Sequence, residues 1–359
     1  AGDRVTALIS INPQGSYKWT NYSKGIYINS FLQDIKEIET PDFSVYRVVA
    51  NYRSYIEQTI FSKASDKNAP ILIALSTGNK GYINPVDQKH INNCGVSHIM
   101  SVSGLHLGII CLSLVKFFKK LKSSDKIVSV AGIISMTLVV AACGFQISAI
   151  RAAIAYLILF LGDLIKRKGE GLNSLCVAIT LIVATNPFVI GSVSFLLSVS
   201  ATFGILVLYP MVAILLGKIK IVGKLGKLLN DALDVALVSF SAIICSMPFL
   251  VYYFGTISTV SILVNVLVLF AVNKALVLVA AGLVISVIPL IDILSYLLFF
   301  VAEILTEYFM WVIRSFGKME HSVIYVRKEM SLFWLVFAVA IIIFSYLGVK
   351  KRSERRGAK

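Results

Sequence analysis

Long stretches of the 359-residue chain contain no Asp, Glu, Lys or Arg, among them residues 127–150, 171–217, 235–273, 275–291 and 330–349. A membrane-spanning helix needs about 20 mostly apolar residues. The 171–217 stretch is more than twice that length and must fold back on itself; Asn186-Pro187 is the turn signal inside it. The 235–273 stretch must likewise turn, near Gly255. The expected fold class is an all-α polytopic membrane protein. Spans fall near 95–117, 127–147, 149–165, 172–189, 192–216, 235–254, 256–273, 275–291, 293–313 and 331–349, nine or ten in all. The weakest are 256–273 and 293–313, the latter because Asp292, Glu303 and Glu307 lie in or beside it.

Composition agrees. The chain is 57% hydrophobic and 15% charged, against about a quarter charged in soluble domains. That excludes a disordered basic tail and argues against a soluble nucleic-acid-binding domain, although the formal net charge is +15. The positive charge is clustered: five Lys in 116–126, then Lys166-Arg167-Lys168, then Lys218, Lys220, Lys224 and Lys227, then Lys350-Lys351-Arg352 with Arg355 and Arg356. Short Lys/Arg-rich loops stay in the cytoplasm. The first three clusters are separated by two spans each, so they share the cytoplasmic side, and residues 1–94 lie outside. Ten spans would put the basic tail outside, against its charge. A re-entrant span, or an outside domain following the tail, would be needed to reconcile them.

Residues 1–42 read as part of a small β segment, with Val5, Ala7 and Ile9 alternating, Gly25–Phe31 rich in Ile and Tyr, and turns at Pro13, Gly15 and Asn21. Residues 43–94 hold an amphipathic helix over 43–62 and a connecting region. Residues 95–349 are the transmembrane domain and 350–359 a basic tail. The chain starts at Ala1 without a signal-type apolar core, and reads as a fragment or processed chain. Cys94, Cys111, Cys143, Cys176 and Cys245 stand far apart without a CxxC pair, and read as buried thiols rather than metal ligands.

Two stretches carry polar chemistry at membrane depth. The first runs His98-Ile-Met-Ser101-Val-Ser103-Gly104-Leu-His106-Leu-Gly108. Polar groups there are costly and face a bundle interior or a hydrated path, while Ser-Gly and Gly108 permit a broken helix or close backbone approach. His98 and His106 are offset by about 80° around a helix and do not form an i, i+4 metal pair. The second is Gly144-Phe-Gln-Ile-Ser148-Ala-Ile-Arg151. Arg151 either snorkels to headgroups or faces inward to bind an anion. Held inside, it needs a partner, with Glu303 and Glu307 the acidic candidates. Asn173, Ser198, Thr202, Asn265 and Asn273 suit interhelical hydrogen bonds; Pro187 and Pro248 suit a turn and a kink. No HExxH, GxSxG or Walker pattern occurs, so no enzyme activity, metal or cofactor is expected.

The run Gly95-Val-Ser-His98-Ile-Met-Ser101-Val-Ser103-Gly104-Leu105-His106-Leu-Gly108, preceded by Gly78, resembles the "GLSHLLAVSGLHVG" signature of the ComEC-type competence protein family. Gly144…Ser148…Arg151-Ala152-Ala153, Asn173…Asn186-Pro187, Phe195…Ser198…Ala201 and Pro248…Tyr253-Phe254-Gly255…Ser261…Asn265 follow in that family's order. The resemblance covers residues 43–310. It implies a multi-pass protein of the bacterial inner membrane that passes one strand of DNA into the cytoplasm during natural transformation. The implied partners are single-stranded DNA, membrane lipid, an extracytoplasmic DNA receptor, a cytoplasmic DNA helicase or translocase, and a separate nuclease. Many members also carry a metallo-β-lactamase-like nuclease domain with an HxHxDH motif; His321 is the only His after His106, so that domain is not expected in this chain. The family's outside oligonucleotide-binding barrel is represented only by the latter part expected in residues 1–42. On this reading Arg151 contacts phosphate, His98, Ser101, Ser103, Gly104, His106 and Gly108 shape a discontinuous helix at a constriction, and Asn173, Ser198 and Asn265 line the path. Two other classes remain open on the residues alone: a secondary transporter of a small anion using the same broken helix and Arg151, and a structural membrane component of a DNA-uptake machine.

Overall fold

A computed structural model describes residues 4–12, 29–39, 44–100, 104–120, 122, 124–164, 170–216 and 224–357. The first elements are strands β1 (Arg4–Asn12) and β2 (Asn29–Glu39), an antiparallel pair running from Arg4 opposite Glu39 to Asn12 opposite Asn29, with register shifts at Thr6/Ala7 and Leu8/Ile9. Among the described residues, the elements after them are helices apart from one small second sheet. Three helices come first: α1 (Val45–Lys63), α2 (Ala69–Thr77) and α3 (Pro85–Asn93). The bundle helices follow: α4 (Gly104–Lys120), α5 (Asp125–Ala142), α6 (Ile147–Leu164), α7 (Gly171–Thr185), α8 (Val193–Leu216), α9 (Lys224–Phe254), α10 (Ser261–Ile285), α11 (Asp292–Gly317) and α12 (Ser331–Gly357).

The protein is therefore an all-α polytopic membrane protein. Among the described residues, five helices are long and apolar enough to cross a membrane (α8, the Leu229–Phe254 part of α9, α10, α11, and α12 up to Gly348), and shorter apolar helices lie within α5, α6 and α7. The long uncharged runs break where their length requires. Pro187–Gly191 forms a 3₁₀ turn whose entry is capped by Asn186 accepting from the Phe188 N–H, and α9 ends at Gly255. The expected spans 256–273 and 275–291 are one helix, α10. A single Lys274 does not interrupt it because Lys is a good helix former; its ammonium lies over the Phe270 ring, 5.8 Å from the centroid. The bundle therefore has nine helices among the described residues. Cys176 is exposed, against expectation, while Cys94, Cys111, Cys143 and Cys245 are buried.

From α4 to α11 successive bundle helices touch, and α12 packs on α8 and α9; the connections are short, so the helices run alternately up and down. One end gathers the connections 143–146, 186–192, 255–260 and 318–330. There β3 (Thr256–Ser258) pairs with β4 (Val323–Tyr325), and Val326 N–H donates to Gly255 O. The other end gathers the last described residues of α4, α6 and α8 and the C-terminal part of α12, and the Lys- and Arg-rich stretches of the sequence adjoin those helix ends. With nine helices the basic tail shares the end of the other three clusters, and the charge conflict posed by ten spans disappears.

Residues 44–100 pack along α10 and α11. In α2 nearly every side chain is apolar and buried, the pattern of a helix enclosed on all sides. Ile56, Ile60, Leu72 and Ile73 meet Ala275, Val279, Phe299 and Ala302, while Ile71, Leu75, Ile91 and Ile99 meet Val264, Val268, Phe309 and Ile313. Asp292, Glu303, Glu307 and Arg314, which weaken α11 as a plain span, fall within about 60° of arc on one face of the helix. Each meets a partner in this segment. Lys63 pairs with Asp292; Ser65 donates to Glu303 through both its N–H and hydroxyl; Lys67 and Asn68 donate to Glu307; and Arg314 donates from Nε and Nη2 to the two Asp87 oxygens at 2.8 Å each.

The bidentate Arg314 hydrogen bonds hold the Asp87 carboxyl below the ordinary value of 3.8. A lowered carboxylate stabilises the fold above its unfolded-state value, and that contribution is lost as pH falls through the lowered one. Asp87→Asn should cost ~1.5–3 kcal/mol at neutral pH, the range for hydrogen bonds to charged groups. In detergent, the gap in thermal unfolding between wild type and variant should close as pH is taken below 3.8. A gap independent of pH would contradict this role for Asp87.

Candidate functional site

The site is organised around α4. This helix contacts α6 on one side and α10 on the other, so the two polar groups described below flank it.

On the α6 side lies Arg151, in the second turn of α6 and only 5% exposed. Ala149 and Ala152 beside it are buried, small enough for the neighbouring helices to come close. Its Nε donates to Ser198 Oγ of α8 at 2.9 Å. Among the described residues no carboxylate pairs with Arg151. The expected acids, Glu303 and Glu307, are committed to Ser65, Lys67 and Asn68 instead. A guanidinium carries five N–H donors, and one hydroxyl oxygen neither uses them nor balances the charge. The geometry presents a buried cation with donor capacity left over for an anion.

One and a half turns along α6, Tyr156 closes on α4. A Cβ built at Gly108 would stand 2.0 Å from the Tyr156 hydroxyl oxygen, so any larger residue there must displace the Tyr156 ring. Arg151 and Tyr156 are near enough to interact electrostatically. Arg151, Tyr156, Ser198 and Gly108 thus tie α4, α6 and α8 together. Just upstream, Phe145 follows Gly144 and holds φ +57°, a left-handed conformation costing an L-residue ~1–2 kcal/mol. This strained turn lies against α1: a Cβ at Gly144 would come 3.2 Å from Arg53 Nη1. Arg53, Asn79 and Tyr82 all donate to the Glu57 carboxylate, at 3.1, 2.9 and 3.2 Å.

On the other side of α4, helix α3 ends at Asn93 and the chain stays non-helical through Met100. Gly95 has φ +69°, and a Cβ there would stand 2.7 Å from Ser258 Cβ and 2.9 Å from Ser261 Cβ. Both the dihedral and the contact demand glycine. His98 is exposed between buried Val96 and buried Ile99. Beside it the Ser97 carbonyl accepts from Lys80 Nζ at 3.1 Å, and burial lowers the Lys80 ammonium from its ordinary value. One turn beyond Ser261 on α10, Asn265 is buried and donates to Ser239 Oγ of α9 at 3.3 Å; Asn265 Oδ1 and Ser258 Oγ are buried without a hydrogen-bond partner. Buried polar atoms left unpaired cost ~1–3 kcal/mol each and favour water or a polar ligand beside them.

Of the residues expected from sequence, Arg151, Ser198 and Gly108 form one group and Asn265 belongs to the second, beyond Gly95. Gly104 opens α4 and His106 lies in its first turn, while Ser101 and Ser103 lie outside the described residues. Asn173 sits at the exposed start of α7, donating to Glu170, away from the Arg151–Ser198 contact. Residues not singled out from sequence are Tyr156, Ser258, Ser239 and Lys80. Tyr156 carries the one polar side chain in the apolar run 152–162, the only signal available; the others lie in unremarkable serine or lysine contexts.

The fold and this polar interior define a multi-pass helical membrane protein with two polar groups built around one glycine-containing helix. Comparison with known sequences agrees. The sequence model of the Competence protein family matches residues 75–352, and the chain belongs to that family. It is also similar to the ComE operon protein 3 of Bacillus subtilis (strain 168), 24% identical over 249 residues. The alignment covers 68% of this chain and 30% of that relative, so the chain spans under a third of the relative's length. No solved structure matches.

Gly108→Ala should destabilise the α4–α6 crossing by ~1–3 kcal/mol, the usual penalty of overpacking. Tyr156→Phe in the same chain should restore part of it by removing the oxygen 2.0 Å from the new methyl. Unfolding temperatures of the two single variants and the double variant in detergent test this, and strict additivity would refute the contact.

Proposed function

We propose that this chain forms the membrane path by which a single strand of DNA enters the bacterial cytoplasm during natural transformation. Its role is that of a channel and not a catalyst. The observation that carries the reading is Arg151: a guanidinium 5% exposed, anchored by one hydroxyl and without an acidic partner among the described residues. Arg is the side chain best matched to phosphate, because its planar fork donates two parallel hydrogen bonds. A strand moving past α4 would exchange one phosphate for the next at this point, with Ser198 fixing the guanidinium. Unpaired Asn265 Oδ1 and Ser258 Oγ favour water on the opposite side of α4. Membership of the competence family supports a DNA-uptake role, and the implied receptor, translocase and separate nuclease would act on either side of the membrane.

Arg151→Ala should lower transformation frequency at least tenfold while the protein still inserts, since a hydrogen-bonded charge contributes ~1.5–3 kcal/mol. Arg151→Lys should recover only part of the loss, keeping the charge without the fork. Transformation at wild-type frequency in Arg151→Ala would eliminate the proposal. Saturable, DNA-independent uptake of a small anion into proteoliposomes would favour the transporter reading instead.

The positive-inside rule orients the proposed channel in the inner membrane. The four basic clusters at one end lie in the cytoplasm, and residues 1–94 start outside and reach inward along α11 as far as Asp292, where Lys63 pairs. A fluorescent protein fused after Lys359 should therefore fluoresce, and a cysteine introduced at Glu320 should react with an impermeant maleimide in intact cells stripped of their outer barrier. A dark C-terminal fusion with a protected position 320 would reverse the orientation.

A further inference from the structure

The lipid-facing side of α11 ends in a cavity that the DNA path does not use. Ile293, Leu297, Phe300, Ile304 and Trp311 are each more than half exposed and fall within about 60° of arc on one helix face. From Ile293 to Trp311 the stripe is about 27 Å long, close to the ~30 Å thickness of the hydrocarbon core. This match sets Trp311 at the membrane–water boundary, where amphipathic rings settle. Trp311 stacks on Tyr308, ring centroids 6.3 Å apart and planes 28° from parallel. At this boundary lies a cavity of about 520 Å³ lined by Lys67, Glu307, Trp311, Arg314, Ser315 and Lys318.

Three cations and one carboxylate line the cavity. Glu307 is matched by Lys67 and Arg314 by Asp87, so the ammonium of Lys318 is the cation left over among these residues. We propose that this cavity binds the headgroup of an anionic phospholipid, with Lys318 and Lys67 facing the phosphate, the Trp311 indole N–H facing an ester or glycerol oxygen, and an acyl chain lying along Ile304 and Phe300. Charge complementarity and the unbroken continuation of the apolar stripe into the cavity select a lipid over a soluble anion. The cavity lies at the end of the bundle opposite the basic clusters, so the lipid belongs to that leaflet. It fastens the turn carrying Lys67 to α11 from the membrane side.

The test uses the full chain with Trp19→Phe and Trp334→Phe, which leaves Trp311 as the sole tryptophan, reconstituted in vesicles doped with acyl-brominated lipid. Brominated phosphatidylglycerol should quench Trp311 at lower mole fraction than brominated phosphatidylcholine. Lys318→Ala should reduce that preference about fivefold, the usual effect of one cation at an anionic surface. Should the tryptophan substitutions prevent folding, native mass spectrometry of the otherwise unaltered chain should show one fewer phosphatidylglycerol retained in Lys318→Ala. Equal quenching by the two lipids, unchanged lipid retention in Lys318→Ala, or relief of quenching by an oligothymidylate would overturn the proposal, the last by assigning the cavity to DNA. None of these readouts depends on transformation, so failure here is distinct from failure of the Arg151 path.

Discussion

The ion-paired seam along α11 is the constraint on which the rest of the architecture depends. Three carboxylates and an arginine on a helix that otherwise looks like a membrane span would be prohibitive if left unpaired in hydrocarbon. They are tolerated because the chain before the bundle supplies Lys63, Ser65, Lys67, Asn68 and Asp87 at matching heights. That matching draws α1, α2 and α3 alongside α10 and α11, and α2 then gives up nearly all its accessible surface to the bundle. Hydrophobic matching alone would not set this register, because apolar contacts are non-directional, whereas a bidentate arginine–carboxylate pair has one geometry.

Held in this way, the α1–α3 segment reaches the turns at one end of the bundle. Gly78 and Gly95, both in left-handed conformations, bring backbone against Gln146, Ser258 and Ser261. The same end carries the strained Phe145 and the start of α6, so the anchoring of α11 and the presentation of Arg151 are linked through a continuous set of packed turns. Arg151 differs in kind from the seam cations. Lys63, Lys67 and Arg314 have acids; Arg151 has a hydroxyl. The seam cations are neutralised by their own protein, and a cation kept without an acid is suited to a mobile anion.

Much of this was legible in the chain. Uncharged runs longer than one membrane thickness forced turns at Asn186-Pro187 and Gly255, and both are present. Arg151 and Ser198 were each marked by being polar at depth. Their hydrogen bond was not legible, because it joins residues 47 positions apart and no local pattern encodes which helices become neighbours. The Gly108–Tyr156 contact was hidden for the same reason. Glu303 and Glu307, the acidic candidates for Arg151, pair with Ser65, Lys67 and Asn68 instead, because charge complementarity in the sequence carries no distance. The division of residues 256–291 into two spans failed because one lysine was given the weight of a turn, although nothing in Lys274 stops a helix.

What the sequence determined by itself is the membrane environment and the gathering of its basic clusters. Segment length against bilayer thickness and the clustering of Lys and Arg act locally and need no knowledge of which helices touch. What only the tertiary structure decided is which charges are satisfied internally and which are left for a ligand. That depends on the few ångströms over which hydrogen bonds operate, and hence on helix neighbours, crossing points and glycine contacts that are set when the whole bundle packs.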